Sequence, residues 1–285
     1  MTEQKIKNFI KVTPLGAFSV EKTFDCGQCF RFDKVENSEH ECEFRGVAFG
    51  RAVSFASDGG ELYIYGADEA DYESIWRHYL GLDLDYAAID ADILSRSSNP
   101  ALKNAIEFGQ GIRILSQDPW EAVCSFIISQ NNNIPRIKKI VAALSEKYGE
   151  HLGGSDFAFP TPEAMLNAGE SGLFELKTGF RAKYLYDAAR RVASGELDLS
   201  EISKLSSTDI AAKKLCEVKG IGPKVAACSL LFGFERYDAF PVDVWIRRVM
   251  EKYFEPGFDA SDLGQYAGIA QQYLFYYERY LGGES

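Results

Sequence analysis

The sequence predicts an α+β fold in two parts, an antiparallel β-sheet with accompanying helices over residues 1–116 and an all-helical half over residues 117–285. Two observations carry this. Up to about residue 66 the apolar side chains recur at strand-like intervals: Phe24, Phe30 and Phe32, then Phe44, Val47, Phe49, Val53 and Phe55, then Leu62-Tyr63-Ile64-Tyr65 ahead of Gly66. Alternation of this kind marks half-buried strands. From Asp118 onward the spacing changes to three and four, as in Trp120, Val123, Cys124, Ile127 and Ile128, which places these residues on one helix face.

Taken in order, Asp58-Gly59-Gly60 has the composition of a tight turn between strands. A helix from about Asp68 to Leu80 is stopped by Gly81, and a second opens on Asn99-Pro100 and stops near Gly109-Gln110-Gly111. Asp118-Pro119-Trp120-Glu121 supplies a cap, a proline at the first helical position and a carboxylate three residues after the cap. That helix runs into Asn131-Asn132-Asn133, which are poor in a helix interior but good hydrogen bonders. Ile137, Ile140, Val141 and Leu144 define the next helix, and residues from Gly149 to Pro162 read as a turn-rich loop. Gly179-Phe180-Arg181-Ala182-Lys183-Tyr184 interleaves basic and aromatic groups. The last helix carries an apolar stripe of Tyr266, Ile269, Ala270, Tyr273, Leu274 and Tyr277, with Gln271 and Phe275 one turn apart on the other side. A glutamine offers donor and acceptor to a base edge and a phenylalanine offers a stacking face. Packing of that face on another domain is the plainer alternative.

The stretch from Leu215 to Arg248 holds the densest chemistry. Ser207, Thr208 or Asp209 can cap a helix ending at Val218, Gly220 and Gly222 permit positive φ, and Pro223 suits the first position of the next helix. The predicted unit is two helices, at about residues 208–233, joined by a hairpin whose amides face an approaching anion. Lys224 and Cys228 share a face of the second helix. Lys224 lies in the first turn, where burial and the positive end of the dipole favour loss of its proton, as a lysine nucleophile requires. In Pro241-Val242-Asp243 the aspartate would cap another helix and stay ionised. On these residues alone, a hairpin that only grips phosphates remains an open alternative.

Composition bounds the function classes. With 285 residues, 46% hydrophobic and 26% charged, the chain is an ordinary globular protein large enough for one or two domains. It contains no run of 18 apolar residues, and MTEQKIKNFIKV lacks the apolar core of a signal peptide, so no membrane association is expected. Six cysteines set mostly in apolar patterns fit a reduced intracellular compartment. Cys26-x-x-Cys29 reads as either a redox pair or two core thiols, and no second pair completes a zinc site. The net charge of −11 is unusual for a nucleic-acid binder, but residues from Gln130 to Lys224 hold 14 Lys/Arg against 12 Asp/Glu, so an acidic body can still present a locally basic face.

In this order the motifs resemble the helix-hairpin-helix (HhH-GPD) DNA glycosylases, and within them the 8-oxoguanine branch. They are Cys26-Gly27-Gln28-Cys29-Phe30-Arg31, Gln117-Asp118-Pro119, Asn131-Asn132-Asn133-Ile134 with Arg136, Gly179-Phe180-Arg181-Ala182, the Lys224 hairpin, Pro241-Val242-Asp243-Val244, and Tyr266-Ala267-Gly268 with Gln271 and Phe275. The resemblance implies a bifunctional enzyme, a DNA glycosylase and abasic-site lyase acting on duplex DNA that contains 8-oxoguanine. It implies that Lys224 attacks C1′ of a flipped nucleotide and that Asp243 stabilises the cationic transition state. It assigns the Gly27 carbonyl to the N7 proton that guanine lacks, Cys228 and Phe275 to the faces of the base, and Gln271 to its pairing edge. Without it, Gly27 reads as a strand bulge. Asn131, Arg136 and Arg181 match positions that fill the gap or meet the orphaned base, and Phe180 matches the wedge, where vertebrate-type enzymes carry a Tyr. Trp245 stands where those enzymes carry a phosphate-binding His, and Gly220 and Gly222 present the hairpin to phosphate. Backbone carbonyls of Cys216, Val218 and Ile221 match those that hold a structural Na+ or K+; no other cofactor is implied, and the four-cysteine iron–sulfur loop of some relatives is absent. A monomer in the cytoplasm, associated with the nucleoid in a prokaryote, is expected. The rivals are a monofunctional glycosylase for alkylated bases, which needs Asp243 but not Lys224, a non-catalytic DNA-binding module, and a Schiff-base lyase for small carbonyl compounds.

Overall fold

A computed structural model describes residues 9–14 and 16–281. Most of the N-terminal stretch read for a signal peptide lies outside the described residues. Strands β1 (Phe9–Val12), β2 (Phe32–Lys34), β3 (Cys42–Ala48), β4 (Arg51–Asp58) and β5 (Glu61–Tyr65) form a sheet in the order β1-β5-β4-β3-β2, antiparallel throughout. At the β4–β5 hairpin Asp58 pairs with Glu61 across Gly59 and Gly60, whose φ values of +53° and +88° suit a two-residue turn that needs two left-handed residues. The covered face of the sheet packs aromatic on aromatic. The Phe55 ring lies 5.1 Å from Phe24, 5.6 Å from Trp76 and 6.0 Å from Tyr79.

Three elements differ from the sequence reading. Phe24 belongs to a short helix, Val20–Asp25, capped by Ser19, which accepts the Lys22 N–H at 3.2 Å. Its buried residues Val20, Thr23 and Phe24 follow helical spacing, which outweighs the apparent alternation with Phe30 and Phe32. A helix at Tyr86–Arg96, capped by Asp85, buries Tyr86, Ile89 and Ile93 in a stretch given no element from sequence. The turn-rich loop contains a small antiparallel pair, His151–Gly153 with Asp156–Phe157, inside the otherwise helical half.

The hydrophobic residues gather into two cores that do not follow chain order. One holds the covered face of the sheet, the helix Val20–Asp25 and Trp76, Tyr79 and Leu115. The other holds everything helical from Tyr86 on, together with Cys26 and Phe30. Helix Pro100–Gly109 therefore packs against the terminal helix, Ala267–Leu281, although more than 150 residues separate them. The approach is close enough that a Cβ at Gly109 would stand 2.5 Å from the Tyr273 ring. The chain thus returns to its beginning, and the terminal helix lies beside residues 25–28. Cys26 and Cys29 are both buried free thiols packed in different cores, and burial pushes Cys26 up to about 12 and Cys29 higher still, which disfavours the thiolate that a redox pair needs.

Sheet and helices meet along a polar seam. Arg31 pairs with Glu121 at 3.4 Å and donates to the Phe157 carbonyl, while Arg45 binds Asp156 at 2.6 Å. Cys29, Arg31, Tyr79, Asp118 and Glu121 line a small cavity there. Burial pushes the Glu121 carboxyl up to about 7, with Arg31 opposing the shift. Because the folded-state value is raised, this group's contribution is fully present below the unfolded value of about 4.3 and is lost as pH rises toward about 7. Urea midpoints of Glu121→Gln should accordingly fall less between acid and mildly alkaline pH than those of the parent protein.

Candidate active site

The hairpin forms as its residues dictate. Ser207 caps the first helix, Thr208–Leu215, by accepting the Ile210 N–H at 3.3 Å, and Cys216 ends it, two residues before the predicted Val218. The second helix, Pro223–Gly233, opens with Gly222 as its cap and proline in the first turn. Only one of the two glycines uses the left-handed region: φ is +85° at Gly220 and −98° at Gly222. Gly220 is also covered, since a Cβ there would lie 2.2 Å from the Tyr184 ring, whereas nothing lies within 4 Å of one at Gly222. The N–H of Lys219 is held by the Asp187 carboxylate at 2.9 Å. The cap at Gly222 thus leaves the first amides of the second helix without a side-chain acceptor, the arrangement that receives an anion.

The second helix runs antiparallel to helix Pro119–Ser129. A Cβ at Gly233 would stand 2.7 Å from that of Ala122, and the rings of Phe126 and Phe232 stack at 5.3 Å. At the other end of the pair this brings Lys224 to Ser129. Lys224 is half-buried, its Nζ 3.4 Å from Ser129 Oγ and 5.7 Å from the centre of the Phe126 ring. Asp243 caps helix Val244–Tyr253 by accepting the Ile246 N–H at 2.8 Å. Among the described residues no ion pair joins Lys224 to Asp243, and both lie near enough to Cys228 to act on its thiol. The Cys228 thiol, raised by burial, is lowered by the nearby Lys224 and raised further by Asp243, so it senses both groups.

The base-contacting candidates converge from three distant stretches. Gly27, with φ of +81°, sits in the turn after helix Val20–Asp25, not in a strand, which removes the bulge reading. A Cβ there would lie 3.2 Å from Ile134 Cδ1 and 3.6 Å from the Phe275 ring, so asparagine turn, terminal helix and N-terminal turn meet at this residue. Gln271 is not on an open face: it is 4% exposed, and its Oε1 is buried without a hydrogen-bond partner among the described residues. An orphaned acceptor of this kind costs stability unless a ligand satisfies it. Phe275 is half-buried.

On the rim, Phe180 is 47% exposed, edge-on to Tyr184 at 5.9 Å. Asn131 is exposed with φ of +47°, while Asn133 caps the next helix and Asn132 bonds the Ile128 carbonyl at 3.1 Å. Arg136 is exposed. Arg181 is not a free contact: it is 3% exposed and donates to the carbonyls of Gln130, Asn131 and Thr178. It therefore shapes the asparagine turn from beneath, because a buried guanidinium must spend its donors on nearby acceptors. Trp245 is half-buried beneath the Arg248 guanidinium, 5.2 Å from its ring centre. Ser129 and Phe126 beside the lysine were not singled out from sequence. Their only signal is a position on the helix that ends at the asparagine run.

Residues 11–123 match the family described as 8-oxoguanine DNA glycosylase, N-terminal domain, and residues 124–259 match the HhH-GPD superfamily base excision DNA repair proteins. The chain belongs to the 8-oxoguanine DNA glycosylases of the HhH-GPD superfamily. The Clostridium acetobutylicum 8-oxoguanine glycosylase/lyase, solved with duplex DNA containing cytosine opposite 8-oxoguanine, is 39% identical over 98% of each chain, with a TM-score of 0.87. A probable N-glycosylase/DNA lyase of Methanothermobacter thermautotrophicus is 32% identical over 64% of this chain and 68% of its own. The N-glycosylase/DNA lyase of Arabidopsis thaliana is 28% identical over 89% and 75%. In this glycosylase the two hairpin glycines should respond differently to substitution. Gly220→Ala, strained and in collision with Tyr184, should cost at least about 2 kcal/mol, and Gly222→Ala less than about 1 kcal/mol, as read by denaturant unfolding.

Proposed function

We propose that this protein removes 8-oxoguanine from duplex DNA with Lys224 as the nucleophile and then nicks the strand at the abasic site it has made. The observation that carries the assignment of roles is the gathering about Cys228 of Lys224, from the first turn of the second hairpin helix, and Asp243, the cap of helix Val244–Tyr253, with Lys224 free of any carboxylate partner among the described residues. Attack of the unprotonated Nζ on C1′ forms a carbon–nitrogen bond as the glycosidic bond breaks, and the base leaves with the bonding electrons. Asp243, anchored by its own helix amide, offsets the positive charge that develops on the sugar. The departing base takes up a proton shed by Nζ, and the C1′–O4′ bond then opens with a solvent proton passing to O4′, leaving an iminium between Nζ and C1′ that acidifies the 2′ carbon. Loss of a 2′ proton then expels the 3′ phosphate by β-elimination.

In this reading the base lies against Gly27 and between Cys228 and Phe275, and its pairing edge satisfies the orphaned Gln271 oxygen. Phe180, Asn131 and Arg136 face the gap in the duplex, and Arg181 sets the turn that carries Asn131. Gly220, Gly222 and Trp245 belong to the phosphate-facing surface. The carbonyls of Cys216 and Ile221 accept no hydrogen bond among the described residues and that of Val218 accepts the Ile221 N–H at 3.0 Å, so these three fit a monovalent cation, which would add positive charge for phosphate. The protein acts on DNA as a monomer in the cytoplasm.

The covalent step makes a sharp test. Borohydride added during turnover of 8-oxoguanine duplex should trap a protein–DNA adduct, visible as a retarded band. Lys224→Gln should abolish the band, and Asp243→Asn should slow base release roughly a hundredfold or more. Base release by Lys224→Gln at the parent rate, without strand nicking, would instead identify a monofunctional enzyme.

A further inference from the structure

The turn that carries Gly27 is tied down on both sides of the glycine and not at it. Arg279 donates to the Asp25 carbonyl at 3.2 Å, and the Tyr280 hydroxyl donates to the Asp25 carboxylate at 3.0 Å. Gln272 Nε2 donates to the Cys26 carbonyl at 3.0 Å, and Gln117 Nε2 donates to the Gln28 carbonyl at 2.8 Å. Gln28 is itself buried, with its amide bonded to the Thr23 and Arg113 carbonyls and its oxygen to the Leu115 N–H. The Gly27 carbonyl accepts no hydrogen bond among the described residues.

Gln272 stands out in this set. It is 3% exposed on a helix whose other inward groups are largely apolar, and burial of a primary amide is unfavourable without a partner. Its partner is a turn carbonyl from the opposite end of the chain. The residue between the two clamps is a glycine with positive φ, the residue type with the widest conformational freedom. Without restraint its flanking peptide planes can rotate and turn its carbonyl away.

We propose that Gln272, assisted by Gln117, is a positioning residue for base discrimination. By holding the carbonyls of Cys26 and Gln28, the two amides fix the peptide planes before and after the Gly27–Gln28 peptide and so keep the unpaired Gly27 carbonyl, which that middle peptide carries, in one orientation for the N7–H of 8-oxoguanine. This rests on the functional reading above. Guanine has no proton on N7 and leaves that acceptor unsatisfied, a penalty that a rigid carbonyl imposes and a rotating one escapes.

The test compares single-turnover excision of 8-oxoguanine and of guanine in the same duplex with nicking of a preformed abasic site, using the full chain. Gln272→Leu should slow 8-oxoguanine excision roughly tenfold or more, narrow the 8-oxoguanine-to-guanine ratio, and slow nicking far less. Gln272→Glu keeps the shape, but its carboxylate has no proton for the Cys26 carbonyl, whereas the protonated acid does. Its excision deficit relative to the parent should therefore shrink as pH falls, and that of Gln272→Leu should not. Gln117→Leu, at a half-buried position, should narrow the same ratio and supplies the reading should Gln272→Leu fail to fold. An unchanged ratio in the leucine variants, equal losses of excision and nicking, or a pH-independent deficit in Gln272→Glu would overturn the proposal. A parent protein that nicks abasic DNA but leaves 8-oxoguanine in place would overturn the functional reading, and the proposal with it.

Discussion

Two helices that run antiparallel at glycine-to-alanine distance place everything else at the centre of this protein. Gly233 lies against Ala122 with no room for a side chain between them, and Phe126 stacks on Phe232 partway along. With one end pinned so closely, the other end of the pair has little freedom, and there Lys224 meets Ser129. The lysine is therefore located by backbone packing about two and a half turns away from it. Small residues at a helix contact give this kind of control because they let the two axes approach closely and leave few alternative packings.

Helix Ala182–Ala193 then couples the hairpin to the asparagine turn. Tyr184 fills the space over Gly220, Asp187 holds the Lys219 N–H, and Arg181 holds the carbonyls of Gln130 and Asn131. One helix thus holds both the hairpin and the asparagine turn. This bears on the acidic composition. A net charge of −11 disfavours long-range attraction to DNA, and in the function proposed above affinity comes from short-range contacts held in place beforehand: helix-terminal amides, an exposed Phe180 and the exposed Arg136. Asp187, whose carboxyl is held low despite burial by the Lys219 N–H and by Arg191 and Arg190, keeps the hairpin formed without presenting a free negative charge to the duplex.

The terminal helix closes the other side. It packs on Pro100–Gly109 through Tyr273 and crosses the turn at Gly27, where Phe275, Gln272 and Arg279 all make contact. Its two adjacent glutamines have opposite fates. Gln272 is satisfied by the protein, and Gln271 is left with a buried oxygen that nothing in the protein satisfies. In the function proposed above, that inequality separates a residue that builds the site from one that awaits a ligand.

Local chemistry alone determined a large part of this protein. The β4–β5 turn at Gly59-Gly60, the caps at Asp118 and Asp243, and the proline starts at residues 119 and 223 follow from short-range sterics and hydrogen bonding, and were legible without coordinates, while the cap left open among Ser207, Thr208 and Asp209 falls to Ser207. The order of motifs pointed to the family, because spacing along the chain survives where any single motif is weak. Tertiary structure decided the rest. Phe24 reads as strand from its spacing to Phe30 and Phe32, and the Ser19 cap and burial of Val20, Thr23 and Phe24 make it helix, since a short apolar run satisfies both periods. Arg181 reads as a DNA contact until burial gives it carbonyls to hold. Gln272 carries no local signal at all, and its role appears only when folding brings the Cys26 carbonyl to its amide. In each case the deciding partner lies far away in sequence, and hydrogen bonds and packing that form only on folding assign the side chain its role.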